Sequence, residues 1–213
     1  MSATNYYKNG ARWIKSLTQN GLGTPPTVRC VVASNNTLGV FSGDFVQQLT
    51  GGDVYPCTRG GGTYATPTHV VLSVEQYLGP DSIMRKGNYL PAATVYTGTT
   101  SLANPLASIV LCIPVQDQVF SLVIPTAEAT KTAAGAKIGK CIDILATAGN
   151  TVTGVSGFTA YTGTDGTYGW QTTTNSGQLR LREIPEVGLS GINDPTLANW
   201  EGYFTVYEIG TIV

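Results

Sequence analysis

The sequence predicts an all-β protein: an antiparallel β-barrel or sandwich of about nine short strands, with an extended N-terminal arm. Three observations support this. Threonine, valine and tyrosine, which suit a pleated and half-buried surface, recur along the whole chain. The 26 glycines and 11 prolines punctuate it at short intervals. The apolar runs between those breaks are too short for ordinary helices, and several alternate with polar residues.

Residues 1–27 read as the arm. Tyr6, Tyr7, Trp13, Ile14 and Leu17 are apolar but follow no helical period, and Gly21, Gly23, Pro25 and Pro26 then block a helix. Such an arm is costly in water, so it is expected to lie on its own domain or on a neighbour. The β domain follows as residues 28–213. Residues 28–33 are short and β-branched. Residues 38–49 form a second run, interrupted at Gly43-Asp44. Residues 53–63, with Gly60, Gly61 and Gly62, read as loops. Residues 69–77 hold the best run of β formers in the first half, and 90–96, 109–113 and 119–124 follow as strands.

The texture then changes. Residues 126–136 are rich in alanine and read either as one short helix, with Gly135 fitting its stop, or as a small-residue loop. Residues 140–146 return to strand. Residues 150–177 suggest turns between short strands, and Asp165-Gly166 is hairpin chemistry. Residues 178–184 alternate, with Leu179, Leu181 and Ile184 against Arg180, Arg182 and Glu183. Residues 202–209 close the chain in the same manner.

Composition bears on function. Only 12% of residues are charged and there is one histidine, so the chain has little equipment for acid–base or metal chemistry. A binding or building role is expected, not an enzyme. The net charge of −1 gives no field that would draw nucleic acid or an anionic membrane. Cys30, Cys57, Cys112 and Cys141 form no CxxC pair, which argues against a zinc knuckle. With no apolar leader at the start, synthesis in a reducing cytosol and four free, mostly buried thiols are expected. The Asn35-Asn36-Thr37 sequon then has no role.

Candidate sites are few. His69 opens a strand without a partner that sequence can assign, and reads as structural. Gly135-Ala136-Lys137-Ile138-Gly139-Lys140 looks like a phosphate loop, but its spacing is one residue short and Cys141 stands where Ser or Thr should follow. Arg59 before Gly60–Gly62 reads as a solvated turn, with an anion nest as the alternative. The aspartates do not follow a calcium-loop spacing. Tyr161, Tyr168 and Trp170 lie in a Thr/Gly-rich stretch, where aromatics fill a core, anchor a protein interface or stack on a sugar.

Several segments in order resemble a known family. Asn9-Gly10-Ala11-Arg12-Trp13 looks like an "NGFRPV" opening. Residues 32–46, ending Ser42-Gly43-Asp44-Phe45-Val46, are similar to a strand–turn–strand closing in "IGDPV", with Phe45 in place of Pro. Tyr89-Leu90-Pro91-Ala92 resembles "YRPA", and residues 114–120 resemble "DDPDxxFEV". Gly139-Lys140-Cys141-Ile142-Asp143 and Thr153-Gly154-Val155-Ser156-Gly157 resemble "GKNADLV" and "TGLSG". Gln178–Leu181, Ile192-Asn193-Asp194 and Asn199-Trp200 complete the series. The family is the capsid decoration, or cement, proteins of podovirus-like tailed bacteriophages.

The resemblance implies a virion protein made in the host cytoplasm and bound to the outer surface of the head. It would clamp neighbouring major capsid protein subunits as a homo-oligomer, a trimer in preference to a dimer. It implies no enzymatic activity, no cofactor, no nucleic-acid partner and no membrane. The expected interface is Tyr6, Tyr7, Trp13, Ile14 and Leu17 of the arm, with Tyr161, Tyr168 and Trp170. The alternative is a tail- or fibre-associated β module that binds a host glycan through those aromatic loops; a hydrolase ranks third.

Overall fold

In the computed structural model the chain is all-β. The structure describes residues 9–18, 23–34, 36–58, 66–79, 81–91, 107–162, 169–171, 177–188 and 191–206. In chain order the strands are β1 (Arg12–Ser16), β2 (Val28–Val31), β3 (Val40–Phe41), β4 (Phe45–Gln48), β5 (Val54–Pro56), β6 (His69–Leu78), β7 (Met84–Gly87), β8 (Tyr89–Leu90), β9 (Ile109–Pro114) and β10 (Gln118–Ile124). One helix, α1 (Lys131–Gly135), follows. The remainder are β11 (Cys141–Ile142), β12 (Ile144–Leu145), β13 (Thr159–Ala160), β14 (Leu179–Glu183), β15 (Val187–Gly188), β16 (Gly191–Ile192) and β17 (Trp200–Val206).

Two larger antiparallel sheets organise these strands. One has the order β1-β10-β17-β14-β11. The other runs β2-β9-β6-β4-β5, with β7 added on β6. Both are open, so the sandwich alternative holds and the barrel does not. Each of the two-stranded pairs β3–β8, β12–β13 and β15–β16 stands beside them.

The period-two alternation of strands builds the core. On the six-stranded sheet, Phe45, Val70 and Ile113 enter one buried cluster. Their chain neighbours Val46, Val71 and Cys112 enter another. This sheet is therefore buried on both faces. The first cluster also receives Phe120, Leu122 and Ile124 of β10, Leu179 and Leu181 of β14, and Phe204 of β17. It is the layer between the two sheets, and Phe45 meets Phe120 there edge to face, with centroids 6.2 Å apart. β10 is buried at every position, the polar Gln118 and Ser121 included.

Several expectations need correction. Among the described residues there are seventeen strand segments where about nine were expected, because some runs break at turns and short strands such as β5, β7, β15 and β16 form where no strand was expected. Residues 53–63 are not all loop: β5 pairs with β4, Gln47 opposite Tyr55. Part of the expected arm lies on its own domain as a strand. Arg12–Ser16 is an edge strand, with Arg12 opposite Ser121 and Ser16 opposite Gln118, and a bulge lies between Trp13 and Lys15. That bulge interrupts the alternation by which the strand would have been recognised. The rest of the proposed arm lies partly outside the described residues. The alanine-rich stretch resolves as the helix, with the Thr130 hydroxyl accepting from the Ala133 N–H at 3.0 Å as its N-cap.

Candidate functional site

The structure separates the residues expected to form one interface. Trp13 is half-buried on β1 and packs against the cluster between the sheets. Its indole N–H donates to Gln118 Oε1 at 2.7 Å. Ile14 is half-buried at the bulge. Leu17 is 51% exposed, and its N–H donates to the Asp117 carbonyl at 2.8 Å. Trp170 is half-buried near the opposite edge of the same sheet, where the Gln171 N–H donates to the Cys141 carbonyl of β11. The Lys137 ammonium lies over its ring, 5.7 Å from the centroid. Tyr161 is half-buried, and its N–H donates to the Asp143 carbonyl. Tyr6, Tyr7 and Tyr168 lie outside the described residues. Trp13 and Trp170 thus sit on different edges, with β10, β17 and β14 between them.

His69 is half-buried on β6, its Nδ1 2.9 Å from Thr68 Oγ1, and burial lowers its pKa. All four cysteines are buried and free. Cys30 and Cys112 occupy diagonal positions across β2 and β9, with Cys30 opposite Val110 and Cys112 opposite Val28. Their side chains hydrogen-bond, and that bond and burial push the Cys112 thiol up. Among the described residues no three His, Cys, Asp or Glu side chains gather as a metal site, and no helix is long and apolar enough to cross a membrane.

Sequence reasoning missed two features. The first is the β15–β16 hairpin. Val187 stands opposite Ile192, so both side chains project from one face. They are 66% and 92% exposed, and Leu197 nearby is 64% exposed. The hairpin is anchored beneath: Asn193 Nδ2 donates to the Pro185 and Glu201 carbonyls, and the Glu201 N–H donates to Asn193 Oδ1. Glu201 itself is buried, accepts from the Ser121 hydroxyl and lies 3.2 Å from Arg12 Nη2. The signal was present as isolated apolar residues among Gly, Pro and Asn, which periodicity does not register.

The second feature is a cavity of about 300 Å³ under the turn between β3 and β4, closed by the end of β5 and by residues 146–149. The turn is held tightly. Gly43 has φ +92°, and a Cβ there would meet Gly10 Cα at 3.1 Å and Ala11 N at 3.2 Å. Only glycine meets both the backbone angle and the close approach. The Ala11 N–H donates to the Gly43 carbonyl at 2.8 Å. Asp44 ends the turn and is almost wholly buried. One of its oxygens, Oδ2, accepts from the Phe41 N–H at 2.8 Å, and the carboxyl also receives the Ser156 hydroxyl. The other, Oδ1, has no hydrogen-bond partner among the described residues. Burial outweighs both hydrogen bonds and raises the carboxyl pKa to about 7. Cys57 beside it is pushed up by burial and by the Asp44 charge, so it stays a thiol. Phe41 forms a wall, stacked on Tyr89 with centroids 5.2 Å apart.

Comparison with protein families, curated proteins and solved structures finds no match to this chain.

Proposed function

We propose that the chain is a structural virion protein: a capsid decoration or cement protein that binds the outer surface of a phage head and clamps neighbouring major capsid subunits as a homo-oligomer. The observation that favours an assembly role is the exposed apolar pair of Val187 and Ile192 on a hairpin anchored through Asn193, with the exposed Leu197 beside Ile192. Grouped apolar side chains in water are unfavourable, and a protein surface that covers them recovers roughly 25 cal/mol per Å². A clamp needs such area and shape complementarity and no reactive group. The expected interface therefore moves from Trp13 and Ile14, which the sheet already uses, to the hairpin, with Leu17 as a second exposed point. The glycan alternative is less well supported, because Tyr161 and Trp170 are half-buried and Trp170 packs on the core. A sugar platform needs an open aromatic face.

The test is addition of purified protein to undecorated heads, followed by sedimentation and measurement of occupancy. Wild type is expected to bind. Ile192→Asp and Val187→Asp are expected to lower occupancy at least tenfold while the melting temperature is kept. No binding by wild type overturns the cement reading. Full occupancy by both variants overturns the assignment of the hairpin as the clamp.

A further inference from the structure

We propose that the cavity under the β3–β4 turn is a binding site for a small primary amine with an apolar body, the Asp44 carboxylate taking the ammonium group. The proposal is independent of the capsid reading and rests on the cavity alone. Its walls are apolar: Leu38, Phe41, Pro56, Ala146 and Phe158 line it. At about 300 Å³ it lies at the small end of ligand pockets, which suits a molecule with one ring or a short branched chain.

Two polar atoms on that wall lack partners. Asp44 Oδ1 and Thr58 Oγ1 are both buried, and neither has a hydrogen bond among the described residues. Unsatisfied buried oxygens are uncommon in folded proteins, and each needs a physical reason. A bound donor group is such a reason. An ammonium carries three donors and no acceptor, so it matches a carboxylate oxygen that lacks a donor. It also supplies the cation that the site lacks. No lysine, arginine or histidine is among the described lining residues. Arg12, which follows the segment against the turn, pairs with Glu201 instead. His69 on the adjoining strand contacts Thr68. The other titratable group on the cavity is Cys57, which stays neutral.

A neutral alcohol would satisfy the hydrogen bonds but not the charge. An organic acid would place a second carboxylate beside the first. The order of affinity therefore identifies the chemistry. Since Asp44 titrates near 7, amine binding should strengthen as the carboxylate ionises, by about tenfold from pH 6 to pH 8. The amine, with a pKa of about 10, stays charged throughout.

The experiment is calorimetric titration of the full chain with 2-phenylethylamine, 2-phenylethanol and phenylacetate. The amine is expected to bind at least tenfold more tightly than the alcohol, and phenylacetate not at all. Its affinity is expected to rise with pH while that of the alcohol stays level. Asp44→Asn, checked for folding by its thermal melt, is expected to remove the preference for the amine. The pH profile of the wild type gives the same reading without a substitution. Absence of amine binding overturns the proposal, as does equal affinity for all three probes. An amine affinity independent of pH overturns the role given to Asp44.

Discussion

Replacing Asp44 by asparagine tests the most unusual electrostatic feature of the fold. The carboxyl titrates at 3.8 in a free chain and at about 7 in the folded protein. Between those values the folded state holds a proton that the unfolded state has released. Stability therefore falls as pH rises through this window, by about 1.4 kcal/mol for each pH unit. The part lying between pH 5 and pH 8 amounts to roughly 2–3 kcal/mol, or about 5–10 °C in melting temperature for a chain of this size. Asparagine keeps an oxygen to accept from the Phe41 N–H and does not ionise. The assay is thermal unfolding in a series of buffers without ligand. The wild type is expected to lose about 5–10 °C relative to Asp44→Asn between pH 5 and pH 8. His69, lowered by burial, acts with the opposite sign: its contribution is present above its unfolded pKa and is lost as pH falls. It is common to both proteins and cancels in the difference. Parallel curves would show that Asp44 is ionised normally and that the burial argument is wrong.

Three further outcomes follow from the packing. Trp13→Ala removes a half-buried ring and its bond to Gln118, and is expected to cost about 2–3 kcal/mol in chemical denaturation. A cost near zero would show that the Trp13 ring adds nothing to the packing of β1. Gly149→Ala drives a Cβ into the Phe41 ring, so it is expected to destabilise the fold by roughly 1–3 kcal/mol and to change the near-ultraviolet signal of the Phe41–Tyr89 stack. An unchanged melting curve would refute the close packing there. Alkylation with no reductant is expected to modify all four cysteines after denaturation and none in the folded protein, because each is buried and free. Modification of two or fewer in the denatured chain would indicate a disulfide.

The sequence by itself determined the fold class, and the reason is local. Turn residues and β-branched runs act over a few positions, so β2, β6, β9, β10 and β14 could be read almost to their ends. The alternation at Leu179 and Leu181 against Arg180 and Arg182 gave the buried face of β14 directly. The alanine-rich stretch left a short helix and a loop equally open, and the structure decided for the helix at Lys131–Gly135. What depends on partners far along the chain was not legible. β1 escaped because a bulge breaks its period, and its pairing with β10 spans about a hundred residues. The partition of Phe45 from Val46, one to each core, could be expected from strand geometry, but which sheet covers each face was decided by the tertiary fold. The same holds for both candidate sites. Val187 and Ile192 are ordinary loop residues until a hairpin sets them opposite each other in solvent. Asp44 is an ordinary turn residue until β4, β5 and residues 146–158 enclose it. Burial, which shifts its pKa and leaves one oxygen unpaired, is a property of that enclosure and not of the residue.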